Sequence, residues 1–184
     1  MRRRDHRGFT LVELMIAVVI AAILLALGLP AFTTWIANIA IRTNAEAITS
    51  GIQLARTEAV RRNTAVRVVL TAAGTSWTVA QDSDGTVIQE YGGEGRADTV
   101  TVSFCPTGGR TLTFNALGGV NEATPISQIA VNSSTISATQ ARRMCVVVFP
   151  GGGARMCDPQ RLTTDPQGCP TVPEICRQPA AACP

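Results

Sequence analysis

The sequence contains no lysine: all sixteen of its basic residues are arginine. It has one histidine, His6, and few aromatics, with five Phe, two Trp and one Tyr in 184 residues. A lone histidine at the extreme start leaves no His-based triad or proton relay for the body of the chain. No two cysteines show the CxxC spacing of a zinc or thioredoxin-like site. Gly151-Gly152-Gly153 lacks the Lys-Ser/Thr of a phosphate loop and reads as a flexible turn between strands. No catalytic set, no metal and no cofactor is expected. Charge is missing altogether from residues 14 to 41.

What is present is unevenly spread. Arg2, Arg3, Arg4 and Arg7 crowd the first eight residues with Asp5. Without that segment, 16 − 4 = 12 arginines face 13 − 1 = 12 acids, so the remainder is formally neutral. The net charge of +3 therefore belongs to the first eight residues and is no evidence for a nucleic-acid partner. Arginines ahead of an apolar run keep the N-terminus cytoplasmic. The run from Phe9 to Leu29 reaches the roughly 20 residues that span a bilayer. No small-x-small cleavage site follows it; the small residue, Gly8, stands before it.

Glu13 lies inside this run, where an acid costs about 2.5 kcal/mol or more. Two readings follow. One is a plain signal anchor with an acid near its boundary. In the other the chain is cut after Gly8, and the new amine of Phe9 sits about 6 Å of helix rise from Glu13, so that a neighbouring subunit's amine could meet this carboxylate.

Helical pattern continues past Gly28 and Pro30, where lost backbone bonding predicts a kink or local loosening. Ile41, Ala45, Ile48, Ile52, Ala55 and Ala59 recur at four- and three-residue steps, one buried helix face. Arg42, Glu46, Arg56, Glu58, Arg61 and Arg62 fall off it as a solvated or subunit-facing surface, and Asn63 is a candidate end. Eight strands are predicted next: 65–70, 76–81, 86–90, 99–104, 111–115, 128–132, 144–149 and 154–157. The fold class is α+β, a long N-terminal helix over about 9–63 packed against a C-terminal antiparallel β domain of one or two sheets. Asp82-Ser-Asp84-Gly85 is a hairpin turn, because Gly93 stands where a calcium loop needs Glu.

Arg7-Gly8-Phe9-Thr10-Leu11-Val12-Glu13-Leu14 resembles the class III signal of type IV prepilins and type II secretion pseudopilins. Ala55 to Asn63, Trp77 to Gly85, Phe104-Cys105-Pro106 and Leu112 to Gly118 are similar to the GspH/FimT group within that family. The resemblance implies cleavage by prepilin peptidase between Gly8 and Phe9, N-methylation of Phe9, and a filament-assembly role for Glu13. It divides the chain into a leader (1–8), a pilin helix (9–63, transmembrane over about 9–29), a β-rich domain (64–158) and a Pro/Cys-rich tail (159–184).

It further implies a non-enzymatic minor pilin that primes or tips a type IV pilus serving adhesion, twitching motility or DNA uptake. Its partners would be other major and minor pilins. It would wait in the bacterial inner membrane as a single-pass protein, its C-terminal domain periplasmic, before entering an extracellular pilus or a periplasmic pseudopilus. A type II secretion pseudopilin and a DNA-binding minor pilin stay open as alternatives. The DNA contacts would be Arg142, Arg143, Arg155 and Arg161. Relatives that bind DNA carry Gly-Arg-x-Arg before a cysteine; here Gly152 and Arg155 match, and Gly153 replaces the first arginine.

All six cysteines (Cys105, Cys145, Cys157, Cys169, Cys176, Cys183) lie beyond residue 100. An even count after a membrane-inserting start reads as disulfides in an oxidising compartment, with six free buried thiols as the alternative. Cys145 and Cys157 are equidistant from Gly151. A symmetric hairpin would set them face to face within bonding reach, leaving the other four to pair in an order the sequence does not define.

Overall fold

The computed structural model describes residues 10–71, 73–93, 99–123, 125–169 and 176. Gly8, Phe9 and Cys183 lie outside these residues. The chain divides into two compact units, Met1–Ile36 and Ala37–Pro184. One helix, α1 (Leu11–Arg62), supplies all the described structure of the first unit beyond Thr10 and the opening element of the second. Its helical assignment continues through Gly28 and Pro30, so proline does not end the element.

Asn63 ends it. Asn63 adopts a positive φ of 51°, its N–H bonds the Val60 carbonyl (3.3 Å), and the Thr64 N–H bonds the Ala59 carbonyl (3.2 Å). That pattern is a Schellman stop, with Asn tolerating the left-handed conformation. Glu58 is bonded by both Arg61 (2.7 Å) and Arg62 (2.7 Å). The two arginines sit in the last turn, where the helix dipole favours cations. Together they hold the Glu58 carboxyl at about 2, from 4.5.

Among the described residues eight strands follow: β1 (Val66–Leu70), β2 (Trp77–Gln81), β3 (Val87–Tyr91), β4 (Val100–Cys105), β5 (Thr111–Phe114), β6 (Gln128–Ser133), β7 (Met144–Val148) and β8 (Ala154–Cys157). They form two antiparallel four-stranded sheets, ordered β3-β2-β1-β5 and β4-β6-β7-β8. The Asp82–Gly85 segment is the β2–β3 turn: the Thr86 N–H bonds Asp84 Oδ1 at 3.0 Å, which holds that carboxyl below its usual range.

The predicted helix stripe is the floor of the core. Ile41, Ala45, Ile48, Ile52, Ala55 and Ala59 are buried in one cluster with Val66, Val68, Leu112 and Phe114 of the first sheet and Ile129, Val131, Val146 and Val148 of the second. Alternation in the strands explains the selection, since every second side chain faces the helix. Gly51 permits a close approach of the helix to the first sheet. A Cβ there would lie 2.7 Å from the Trp77 ring, and that indole stacks on Tyr91 with centroids 5.6 Å apart.

Candidate assembly helix and stapled tail

The first unit is built around the start of α1. The Thr10 hydroxyl accepts the backbone N–H of Glu13 (3.3 Å), and the Thr10 carbonyl accepts that of Leu14 (3.1 Å). Thr10 is therefore the N-cap and Glu13 the third helical residue, the Thr-x-x-Glu spacing of a capping box. Glu13 is costly in lipid, and the residues from Thr10 to Glu13 also carry this capping signal in the sequence. A carboxylate at that position meets the positive end of the helix dipole.

Every large apolar side chain from Leu11 to Leu29 is more than half exposed. An 18-residue window here has a mean hydropathy of 2.8, and none of it is buried within the chain. The stretch rises about 28 Å, close to the roughly 30 Å of a bilayer's hydrocarbon core. Contiguous apolar surface on this scale belongs against lipid or other helices rather than water. At its end Phe32 and Trp35 lie exposed one turn apart, their rings 5.9 Å from each other.

In the second unit, two disulfides among the described residues fasten the C-terminal tail. Cys145 bonds Cys176 (Cα–Cα 5.8 Å) and Cys157 bonds Cys169 (Cα–Cα 5.0 Å). This corrects the expected Cys145–Cys157 bond, although the symmetric hairpin that suggested it is present, with Cys145 opposite Cys157 in the β7–β8 ladder. The reason lies in the tail. The Asp158 N–H bonds the Gln167 carbonyl (2.8 Å), and a parallel bridge joins Asp158 to Gly168. The returning chain thereby lays Cys169 beside Cys157. Phe149 donates to the Gly153 carbonyl (2.8 Å); by alternation along the ladder Cys145 and Cys157 are then a hydrogen-bonded pair. The Cα separation of such a pair, about 5.5 Å, would itself admit a disulfide, so the tail and not the hairpin spacing decides the pairing. Cys105 is also disulfide-bonded, to a partner outside the described residues. Cys145, Cys157 and Cys169 lie close enough to suggest a metal cluster, but their thiolates are consumed in disulfides.

The arginines proposed for DNA do not form one open cationic face. Arg161 is held by Asp165 (2.9 Å) and Asp158 (3.5 Å), which raises its pKa further. Arg155 Nη2 donates to the Pro166 carbonyl (2.5 Å). The backbone N–H of Arg142 bonds Asn38 Oδ1 (2.7 Å) while Asn38 Nδ2 donates to the Gln140 carbonyl (3.2 Å). That single amide ties the loop before β7 to α1. Arg143 is half-buried. A cavity of about 220 Å³ is bordered by Asn38, Arg42, Arg142, Met144, Asp158 and Arg161; of its three arginines, Arg42 is paired with Glu46 and Arg161 with Asp158 and Asp165.

Arg56, on the exposed face as expected, also straps a loop: its Nε donates to the Gly118 carbonyl at 3.1 Å. The glycine run that read as flexible is close-packed there. Gly152 has φ +81°, and a Cβ on it would stand 2.0 Å from the same Gly118 oxygen.

Comparison with known proteins places this arrangement. Residues 44–152 match the family described as Type II transport protein GspH. Residues 3–29 match the prokaryotic N-terminal methylation motif, which fits processing by prepilin peptidase. Among solved structures, the type IV minor pilin FimU of Pseudomonas aeruginosa is similar in two crystal forms. One has a TM-score of 0.52 at 20% identity, covering 70% of this chain and 94% of FimU. The other has 0.50 at 18%, covering 70% and 98%. The minor pseudopilin EpsH of the Vibrio cholerae type 2 secretion system aligns at TM-score 0.47 and 14% identity, over 65% of this chain and 98% of EpsH. No curated protein sequence matches. The family match spans more than half of the chain, and the chain belongs to the GspH family, the minor pilins and pseudopilins of type IV pilus and type II secretion systems, structural subunits that assemble with other pilins.

Proposed function

We propose that this chain is a minor pilin of a type IV pilus that primes or tips the filament. It is held in the inner membrane by α1, with its C-terminal domain in the periplasm, until it is built in. The supporting observation is the pairing of a fully exposed apolar span with an acid in its first turn. The span provides a membrane anchor and later a surface for sister helices. The acid is costly in lipid and gains a partner only when another subunit's terminal amine arrives. That amine is created by cleavage between Gly8 and Phe9 and carries the methyl group. Intact-mass analysis of filament-associated protein should therefore find methylated Phe9 at the N-terminus; a mature form retaining Met1 overturns the reading.

Glu13→Val tests assembly directly. Membrane levels should stay within about twofold of wild type, because removing an intramembrane acid does not impair insertion. Recovery in sheared filaments should fall at least tenfold. Equal recovery in both fractions would remove the role assigned to Glu13. The family description, which names type II transport, favours a second reading as a secretion pseudopilin. Deletion distinguishes the two: loss of surface pili with secretion intact supports the pilus, and the reverse supports the pseudopilus.

A further inference from the structure

Cys145 and Cys157 stand opposite each other in the hairpin, yet each is bonded to the tail. The sulfurs of Cys145, Cys157 and Cys169 all lie within 4.8 Å of one another, and all three residues are buried. Sulfurs gathered so closely can trade partners, since exchange proceeds by attack of a thiolate on a neighbouring disulfide sulfur. We propose that this is a thiol–disulfide exchange site used in maturation. Cys145–Cys157 forms first, within the hairpin, and is then rearranged into the two tail bonds with a dithiol isomerase as the partner.

The order follows from topology. A chain emerges N-terminus first, so β7 and β8 are complete before Cys169 and Cys176 arrive. The loop closed by Cys145–Cys176 spans 31 residues, against 157 − 145 = 12 for the hairpin pair. Loop closure alone makes the longer one about fourfold less frequent. Cys157–Cys169 also spans 12 residues, but only the single Asp158–Gly168 bridge positions it, and that bridge needs the later stretch of chain. Opposite residues of an antiparallel hydrogen-bonded pair sit about 5.5 Å apart at Cα, inside the range that a disulfide bridges.

The chemistry balances in three steps. The Cys145 and Cys157 thiols lose two electrons and two protons to an oxidoreductase disulfide, which becomes a dithiol, and Cys145–Cys157 forms. The Cys169 thiolate then attacks Cys157 Sγ, making Cys157–Cys169 and expelling the Cys145 thiolate with no net redox change. Finally Cys145 and Cys176 are oxidised by a second oxidoreductase disulfide. A dithiol isomerase accelerates the middle step: its thiolate opens Cys145–Cys157 as a mixed disulfide and is displaced as Cys157–Cys169 forms. The proposal requires an oxidising compartment and does not depend on which filament the subunit joins.

The full chain is pulse-labelled in cells, trapped with N-ethylmaleimide at successive times, and mapped without reduction. Cys145–Cys157 should dominate the earliest samples and decline as Cys145–Cys176 and Cys157–Cys169 rise. In cells lacking periplasmic dithiol isomerase activity it should persist several-fold longer. A Cys169→Ser/Cys176→Ser chain should retain the Cys145–Cys157 bond permanently. Build-up of the two tail bonds with Cys145–Cys157 never trapped overturns the proposal. So does a double-serine chain whose Cys145 and Cys157 both react with N-ethylmaleimide.

Discussion

Arg56 Nε and the backbone of Gly152 converge on one atom, the carbonyl oxygen of Gly118. Substituting Gly152 adds a Cβ 2.0 Å from that oxygen at a φ of +81°, so backbone must move and a left-handed conformation must be kept by an L-residue. Gly152→Ala should therefore lower stability by about 2 kcal/mol or more, read as a reduced urea midpoint. Gly151→Ala, whose Cβ meets nothing within 4 Å, should stay within about 0.5 kcal/mol as an ordinary surface change. The run Gly151-Gly152-Gly153 shows that a turn is needed; which glycine another loop will press against depends on Gly118, 152 − 118 = 34 positions away. Glu58 was more legible, since its pairing with Arg62 is local. Its carboxyl is held at about 2 by Arg61 first and Arg62 second. A depressed carboxyl adds stability above the unfolded value of 4.5 and loses it as pH falls towards 2. Between pH 5 and 2.5 the wild-type urea midpoint should therefore drop further than that of Glu58→Gln; parallel curves would mean that the pair contributes nothing.

The strands show why elements are easier to read than their arrangement. Each predicted strand is found with its ends shifted by no more than one residue, because four- to six-residue runs rich in Val, Thr and aromatics are bounded by Gly, Pro or Asp. Their partners are another matter. β5 lies beside β1 across the intervening β2, β3 and β4, and β4 opens the second sheet instead of extending the first; no local pattern encodes that choice. For α1 the apolar span was legible from the absence of charge, and its outer limit is set by a pair of aromatics. Trp35 lies 24 residues beyond Leu11, a rise of about 36 Å. That exceeds the roughly 30 Å hydrocarbon core but stays within the 40–45 Å that includes the headgroups, the depth at which Trp is enriched. In a Trp77→Phe background Trp35 is the only indole. In vesicles, lipids brominated near the headgroup should quench it more strongly than lipids brominated at mid-chain; the opposite order would place Trp35 inside the hydrocarbon.

At the scale of the molecule, the question of a nucleic-acid partner turns on charge that is already spoken for. Removing the first eight residues leaves twelve arginines and twelve acids, and the structure pairs several of them across short distances. Arg42 bonds Glu46 at 2.8 Å, Arg61 and Arg62 bond Glu58, and Arg161 lies between Asp158 and Asp165. A phosphate approaching Arg161 must compete with two carboxylates, and one approaching Arg155 must compete with the Pro166 carbonyl. Affinity for duplex DNA falls with log salt at a slope of about −0.9 per phosphate neutralised. With Arg161 committed and Gly153 where relatives that bind DNA carry arginine, no more than about two phosphates should be neutralised, giving a slope shallower than about −2. The measurement is a salt titration of duplex binding by the mature full-length chain in detergent, repeated with Asp165→Asn. Freeing Arg161 from one acid should steepen the slope by up to about one. A wild-type slope of −4 or steeper would mean that the pairs open for DNA, and the receptor reading would then displace the purely structural one.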